Sequence, residues 1–274
     1  IAVPISSLRA YAIIEKSEAG FSIVAENLKN RDITISVDTL DDDNPLAKIT
    51  NLILKFLDDD KPNVKITIKS DIPIASGLGS GAAVSAALGK AIAKALNKPL
   101  SDDDLNKFVF EVEKIYHGTP SGIDNTVIVY EQPIYFVKNK PIEFLNIKTP
   151  FNIIVADTGQ TALTHEAVGD VRELYNANPD KITVIFDKIG IVAQHAIHAM
   201  DTGNIELLGK LMTENHNYLQ QLTVSSPQLD KLVAAAMQAG ALGAKLSGGG
   251  RGGNMIALAE PSKIPSITLA LKQA

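Results

Sequence analysis

Residues 72–96 read "IPIASGLGSGAAVSAALGKAIAKAL", with Gly77, Gly79 and Gly81 inside five residues and an alanine-rich run directly after them. Upstream, "NVKITIKSDIPI" (63–74) is rich in β-branched residues and alternates in the manner of a strand, so the glycines sit between a strand and a helix. Two readings are open for such a loop. Mechanically, glycine allows a tight turn, and alanines let a helix lie close to a neighbour. Chemically, the first N–H groups of the helix lack carbonyl partners at the positive end of its dipole, and no side chains keep an anion away. Phosphate is the usual occupant. No lysine follows Gly81, so the loop is not a GxxxxGK[ST] phosphate loop, and taken alone it leaves both readings standing.

Outward from the loop, the 274 residues are 45% hydrophobic and carry a net charge of −5, enough to bury one large core or two ordinary ones in a soluble globular protein. Lysine and arginine are scattered rather than clustered, which argues against a nucleic-acid or anionic-membrane partner. No apolar run approaches the roughly 20 residues of a membrane span, and the first residues lack the pattern of a signal peptide. There is no cysteine, hence no disulfide or thiolate metal site, which fits a cytoplasmic location. Oligomeric state is left open, with a homodimer as one option.

Strand patterns occupy "IAVPISSLRAYAIIE", "FSIVAEN" and "DITISVD", and "PLAKITNLILKFLDDD" reads as an amphipathic helix. Ser101 followed by three aspartates opens a helix to about Tyr116, stopped by Gly118 and Pro120, and an extended pass is expected from Thr126 to Phe136. After "NIKTPFNIIVADTG" come helical patterns at Thr164–Tyr175, Ile182–Met200, Asn204–Leu219 and Pro227–Gln238, then "GALGAKLSGGGRGGNMIALAE" and a last helix from Ser262. The fold class expected is α+β in two domains, 1–148 mixed α/β and 149–274 helix-rich with a small antiparallel sheet, divided within Lys138–Pro150.

The segment "EKIYHGTPSGIDNTV" places Glu113, His117, Ser121 and Asp124 within twelve residues, across a helix end and a Gly-Pro-Ser-Gly turn. Polar residues at a turn are commonly turn chemistry. Glu113 is less easily explained, because a carboxylate late in a helix faces the negative end of the dipole, a mismatch of about 0.3–1 kcal/mol unless a cation offsets it. Lys114 or His117 supplies that cation in one reading and a bound magnesium in the other.

In order and spacing, "IPIASGLGSGAAVSAAL", "HGTPSGIDN" and "KLSGGGRGGN" resemble the second motif, the catalytic-acid segment and the third motif of the GHMP small-molecule kinases. "HGTPSGIDN" is the discriminating piece: galactose-phosphorylating members match it loosely, and the homoserine-phosphorylating ones lack the acid. The resemblance implies a two-domain kinase in isoprenoid biosynthesis that moves the γ-phosphoryl of ATP to the 5-hydroxyl of mevalonate. It assigns ATP phosphates to Gly77, Leu78, Gly79, Ser80 and Gly81, magnesium to Glu113, and the acceptor hydroxyl to Asp124. Gly248, Gly249 and Gly250 line the ATP side, and Ser121, Gly122 and Thr158 become acceptor contacts. A side chain at Gly79 is expected to intrude on the phosphates. Positioning, charge neutralisation and one base are a sufficient kit for phosphoryl transfer. A kinase for phosphomevalonate or a sugar, or a non-catalytic metabolite-binding protein on a decayed kinase scaffold, stands as the alternative.

This chain departs from the pattern twice. Gly81 replaces the usual second serine of the loop, which leaves either Ser80 or water as the expected contact at magnesium. The family's opening motif, with a lysine beside the catalytic acid, has no counterpart in the 274 residues; the chain opens on Ile1 without methionine, and a preceding segment is expected. Of the remaining candidates, Arg251 reads as a loop arginine before a phosphate donor, Thr164 as a helix cap and His165 as its neighbour. His195, His198 and His216 read as surface or core histidines.

Overall fold

The computed structural model describes residues 1–28, 31–35, 43–72, 77–118, 120–160 and 164–274, with the side chains at 27, 28, 31–35, 116, 117, 164 and 165 outside the description. The chain divides into two units, Ala2–Glu143 and, together with Ile1, Phe144–Ala274.

In the first unit, β1 (Ala10–Lys16), β2 (Ser22–Leu28), β3 (Arg31–Ile35) and β4 (Val64–Ser70) form a sheet of order β1-β4-β2-β3. β2 runs parallel to β4, and the other neighbours are antiparallel. Ile66 and Ile68 of β4 are buried while Lys65 and Lys69 are exposed, so one face of the sheet is apolar. Helices α1 (Pro45–Leu57), α2 (Ser80–Ala95) and α3 (Asp102–His117) supply Ile49, Ile53, Leu88, Ile92, Leu105 and Val109 to the same core as Ile23, Ile66 and Ile68.

The alanine-rich run is the central helix of this unit. Ala82, Ala86 and Ala91 are buried together with Leu88 and Ile92, each of the last two contributing about 1.5–3 kcal/mol by burial. A Cβ at Gly89 would lie 2.8 Å from both Ile53 Cδ1 and Leu105 Cδ1, so the small residues do let α2 approach α1 and α3 closely. α3 begins where the sequence placed it, with Ser101 Oγ accepting from the Asp104 amide, and Gly118 follows its last residue.

The extended pass expected from Thr126 to Phe136 instead begins as helix, through Tyr130. α4 spans Ile123–Tyr130, and β5 (Ile134–Tyr135) holds the only strand residues of that stretch among the described residues. The run Thr126-Val127-Ile128-Val129 has strand propensity, but Gly122 turns the chain with φ 90° and burial of Asn125, Thr126, Val127 and Val129 decides the outcome. Thr126 Oγ1 donates to the Gly122 carbonyl at 2.6 Å, satisfying its hydroxyl within the helix. Local propensity yields here to packing against α2 and α3.

The two-residue strand β6 (Glu143–Phe144) precedes the second unit's sheet, in which β7 (Asn152–Asp157), β8 (Gly243–Leu246) and β9 (Asn254–Ala259) take the antiparallel order β7-β9-β8. Helices α5 (Thr164–Ala177), α6 (Pro179–Thr202), α7 (Ile205–Gln221) and α8 (Pro227–Gln238) lie where the periodicity predicts them. The last helix is preceded by a 3-10 turn at Pro261–Lys263, and α9 runs Ile264–Gln273. Two clusters form the core, one around Leu229, Ala244, Met255 and Ile267 and one around Ala199, Leu211 and Leu258. Among the described residues, no helix is long and apolar enough to cross a membrane.

Candidate active site

The glycine loop, Glu113 and Asp124 all belong to the first unit, where α2, α3 and α4 pack on one another. Gly79 is the residue before α2, in the left-handed conformation at φ 68°, and no side chain caps the helix. The first turn of α2 also carries no acidic residue, so its amides are left for an anion. Gly77, at φ 73°, faces open space: a Cβ there would meet nothing within 4 Å. Gly79 differs, since a Cβ would come 2.5 Å from Ile128 Cδ1 and 3.7 Å from Asp124 Cβ. The first obstacle to a side chain at Gly79 is therefore α4 itself, not a ligand. That proximity also seats the loop directly beside the catalytic-acid candidate.

Asp124 is exposed, in the first turn of α4, so its negative charge sits at the positive end of that helix. Glu113 is 3% exposed, and its carboxyl is raised from the usual range to about 7, chiefly because burial disfavours the charge and secondarily because Asp124 repels it. The cation proposed from sequence is otherwise engaged: Lys114 Nζ bonds Glu111 Oε1 at 2.6 Å and lies 5.1 Å from the Phe110 ring centroid. His117, the other cation candidate, has its side chain outside the described residues.

α3 and α4 are tied together by Asn125 Nδ2 donating to Asn106 Oδ1 at 2.6 Å and by a Tyr130–Asp103 hydrogen bond. These contacts fix the two carboxylates relative to each other. Ser121 is exposed and its Oγ accepts from the Ile123 amide at 3.3 Å. Gly122 is buried, and a Cβ there would stand 3.4 Å from the Phe136 ring, so it contributes backbone shape rather than an open surface.

The remaining candidates lie in the second unit. Gly248 is exposed with φ 79° and open space beside it; Gly250, at φ 80°, presses on the Val224 carbonyl, which a Cβ would approach to 1.9 Å. Gly249 stands between them, half-buried. Thr158 donates to the Gly253 carbonyl through both its amide, at 2.9 Å, and its Oγ1, at 3.1 Å, so the end of β7 is laced to the glycine segment. Arg251 forms an ion pair with Asp170 and donates to the Thr223 carbonyl at 3.3 Å, which accounts for it without a phosphate. The side chains of Thr164 and His165 lie outside the described residues. His195 and His198 are exposed, whereas His216 is buried.

Whether the first unit suits a divalent cation can be judged from its donors. A buried carboxyl repelled by a second carboxylate, in the same unit as an uncapped helix start whose amides can hold phosphate, is hard-oxygen chemistry of the kind magnesium takes with phosphate oxygens completing its shell. Among the described residues, no group of three or more His, Cys, Asp or Glu side chains could hold an ion alone. The donors fit a cation shared with a phosphate ligand.

Residues 46–132 match the model of the GHMP kinases N terminal domain and residues 196–274 that of the GHMP kinases C terminal domain. The chain is 38% identical over 229 residues to the mevalonate kinase of Pyrococcus furiosus, covering 82% of this chain and 68% of that protein. The chain belongs to the GHMP kinase family. It is also 35% identical over 200 residues to the mevalonate kinase of Aeropyrum pernix, of which it spans 62%, so it covers about two thirds of the length of these relatives. Among solved structures of the family it resembles Methanococcus jannaschii mevalonate kinase, with a TM-score of 0.84 at 27% identity, covering 96% of this chain and 84% of that one. L. major mevalonate kinase in complex with R-mevalonate gives 0.81 at 28% identity, covering 97% and 82%.

The sequence pointed to the glycine loop, Glu113 and Asp124, and the structure brings these together in one unit. It did not reveal the hydrogen-bonded group of buried His216 with the half-buried Ser225 and Asp230 beside β8. The signal it offered was faint: Thr213 and His216 recur at i, i+3 on one helix, with Ser225 and Asp230 flanking the next helix start.

Proposed function

We propose that this chain catalyses ATP-dependent phosphorylation of mevalonate at its 5-hydroxyl. The observation that carries the proposal is the placement of Asp124 against Gly79, at an uncapped helix start and beside the buried Glu113. Identity to proteins named mevalonate kinase supports the acceptor.

The backbone amides of Gly77–Gly81 at the start of α2 would hold the ATP phosphates, with Gly248–Gly250 on the nucleotide side as well. Asp124 would take the proton of the acceptor hydroxyl as its oxygen bonds to the γ-phosphorus. The bond from that phosphorus to the β–γ bridging oxygen breaks, and ADP leaves. Glu113 and Ser80 Oγ would hold magnesium, which supplies charge neutralisation for the moving phosphoryl. Ser121, the Gly122 backbone and Thr158 would contact the acceptor. The units would work as domains 1–148 and 149–274 of a cytoplasmic enzyme without nucleic-acid or membrane partners, a homodimer being one option for its assembly.

ADP release measured with mevalonate, phosphomevalonate and galactose as separate acceptors tests the proposal. Mevalonate should exceed the others in kcat/KM by on the order of 10²-fold or more, because a site built to pair one set of polar groups rejects acceptors that leave them unpaired. Preference for another acceptor would overturn the assignment of mevalonate, and absence of turnover with all three would favour the non-catalytic alternative.

The two loop glycines separate ligand approach from packing. Gly79→Val should lower stability by about 1–3 kcal/mol, from the positive φ and the Ile128 clash, and is a poor probe of phosphate. Gly77→Ala meets no atom and should cost about 1–2 kcal/mol of backbone strain, yet weaken ATP binding in the folded protein. Nucleotide titration with thermal melts distinguishes them; unchanged ATP affinity in folded Gly77→Ala would take the loop out of the phosphate site.

A further inference from the structure

β8 is the edge strand of its sheet, and its outward amides need partners. Two come from side chains of α7. The Ala244 amide donates to Thr213 Oγ1 at 3.3 Å, and the Leu246 amide to His216 Nδ1 at 3.3 Å. Gly209, one turn before Thr213, makes the approach close enough: a Cβ at Gly243 would lie 1.9 Å from the Gly209 carbonyl oxygen. Gly209, Thr213 and His216, at i, i+4 and i+7, thus form one stripe of α7 along the strand edge.

The accepting role of Nδ1 settles the tautomer. Nε2 carries the proton and donates to Asp230 Oδ1, 3.1 Å away, and the same oxygen accepts from Ser225 Oγ. Burial disfavours a charged ring, although the Asp230 carboxylate acts the other way. Ser225 belongs to the connection between α7 and α8, on which the glycine segment rests. Thr223 there has φ 60°, the Val224 carbonyl accepts from the Arg251 amide at 2.8 Å, and Gly250 packs on that carbonyl. His216 therefore touches the strand that delivers the chain to Ser247 and, through Asp230 and Ser225, the turn beneath Gly250 and Arg251.

We propose that His216 is a positioning residue for the Ser247–Gly253 loop, holding its entry through the Leu246 amide and its support through Asp230 and Ser225. The consequence for nucleotide affinity rests on the reading that this loop lines the ATP side. His216 is 3% exposed and touches no reacting atom; it acts through the loop.

Three substitutions divide its two bonds. Asn places an oxygen where Nδ1 was and keeps the acceptor for Leu246; Gln places an amide N–H where Nε2 was and keeps the donor to Asp230; Phe keeps neither. Hydrogen exchange of peptides covering Leu246–Gly253, read in the ligand-free protein, should be about 10-fold faster in His216→Phe than in wild type, with His216→Asn restoring protection at Leu246 and His216→Gln failing to. ATP affinity, titrated without acceptor, should fall by about 10-fold in His216→Phe and less in the other two. Unchanged loop exchange in a folded Phe variant, or acceleration spread evenly over α6 and α7, would overturn the positioning role. Faster loop exchange with unaltered ATP affinity, in both His216→Phe and Gly248→Asp, would leave the positioning intact and remove the loop from the nucleotide site.

Discussion

Replacing Asp124 by Asn is expected to slow turnover by about 10²-fold or more while ATP and mevalonate still bind. Asn keeps the size of the side chain and part of its hydrogen bonding but removes the group that would accept the hydroxyl proton. Two structural consequences accompany the loss. The negative charge at the start of α4 disappears, at a cost of about 0.3–1 kcal/mol, and so does the repulsion that helps raise the Glu113 carboxyl. The second effect favours the charged form of Glu113, so the pH at which Glu113 ionises should move down in the variant. Steady-state kinetics with thermal melts at matched pH separate the outcomes. A folded Asp124→Asn protein at full rate would end the catalytic assignment, and a protein that loses stability but keeps kcat among its folded molecules would make Asp124 a turn residue.

Much of this arrangement was legible in residues 72–96 and 113–124, because the chemistry there depends on local sequence. Glycines before an alanine run announce both a left-handed turn and a closely packed helix, and Gly79 and Gly89 serve those two ends. A carboxylate late in a helix announces an electrostatic cost, and the structure supplies its source in burial and Asp124. What stayed hidden depends on tertiary partners. The β-branched run after Asp124 looks extended, and only its packing against α2 and α3 makes it α4. Gly79 looked like a glycine kept bare for phosphate, whereas Ile128 already demands it. His216 is marked in sequence only faintly, by Thr213 three residues before it, since its partner Leu246 is met only once β8 lies along α7, and Ser225 and Asp230 only once the next helix turns back.

Glu113→Gln should have two large and separable effects, one on the pH dependence of stability and one on the requirement for magnesium. In the metal-free protein the carboxyl is raised from 4.5 to about 7, so between those values the folded state binds more protons than the unfolded state. Stability must then fall as pH rises through that window, by on the order of 1–3 kcal/mol in total, with the full cost present above about 7. Gln carries no such cost. The variant should therefore match wild type near pH 4.5 and exceed it increasingly up to about pH 7, after which the difference levels off. Magnesium chloride with ADP at pH 8 should close that gap by stabilising wild type more than the variant, since binding to the folded state alone raises stability in proportion to RT ln(1 + [L]/Kd). In turnover, the magnesium concentration for half-maximal rate should rise about 10-fold or more. Chemical unfolding across pH 4.5–8, with and without the metal, reads the first effect without any activity. A stability difference that is flat with pH would mean that Glu113 is not held as a raised, buried carboxyl, and an unchanged magnesium requirement in a variant showing the expected pH curve would move the metal away from Glu113 while leaving its burial intact.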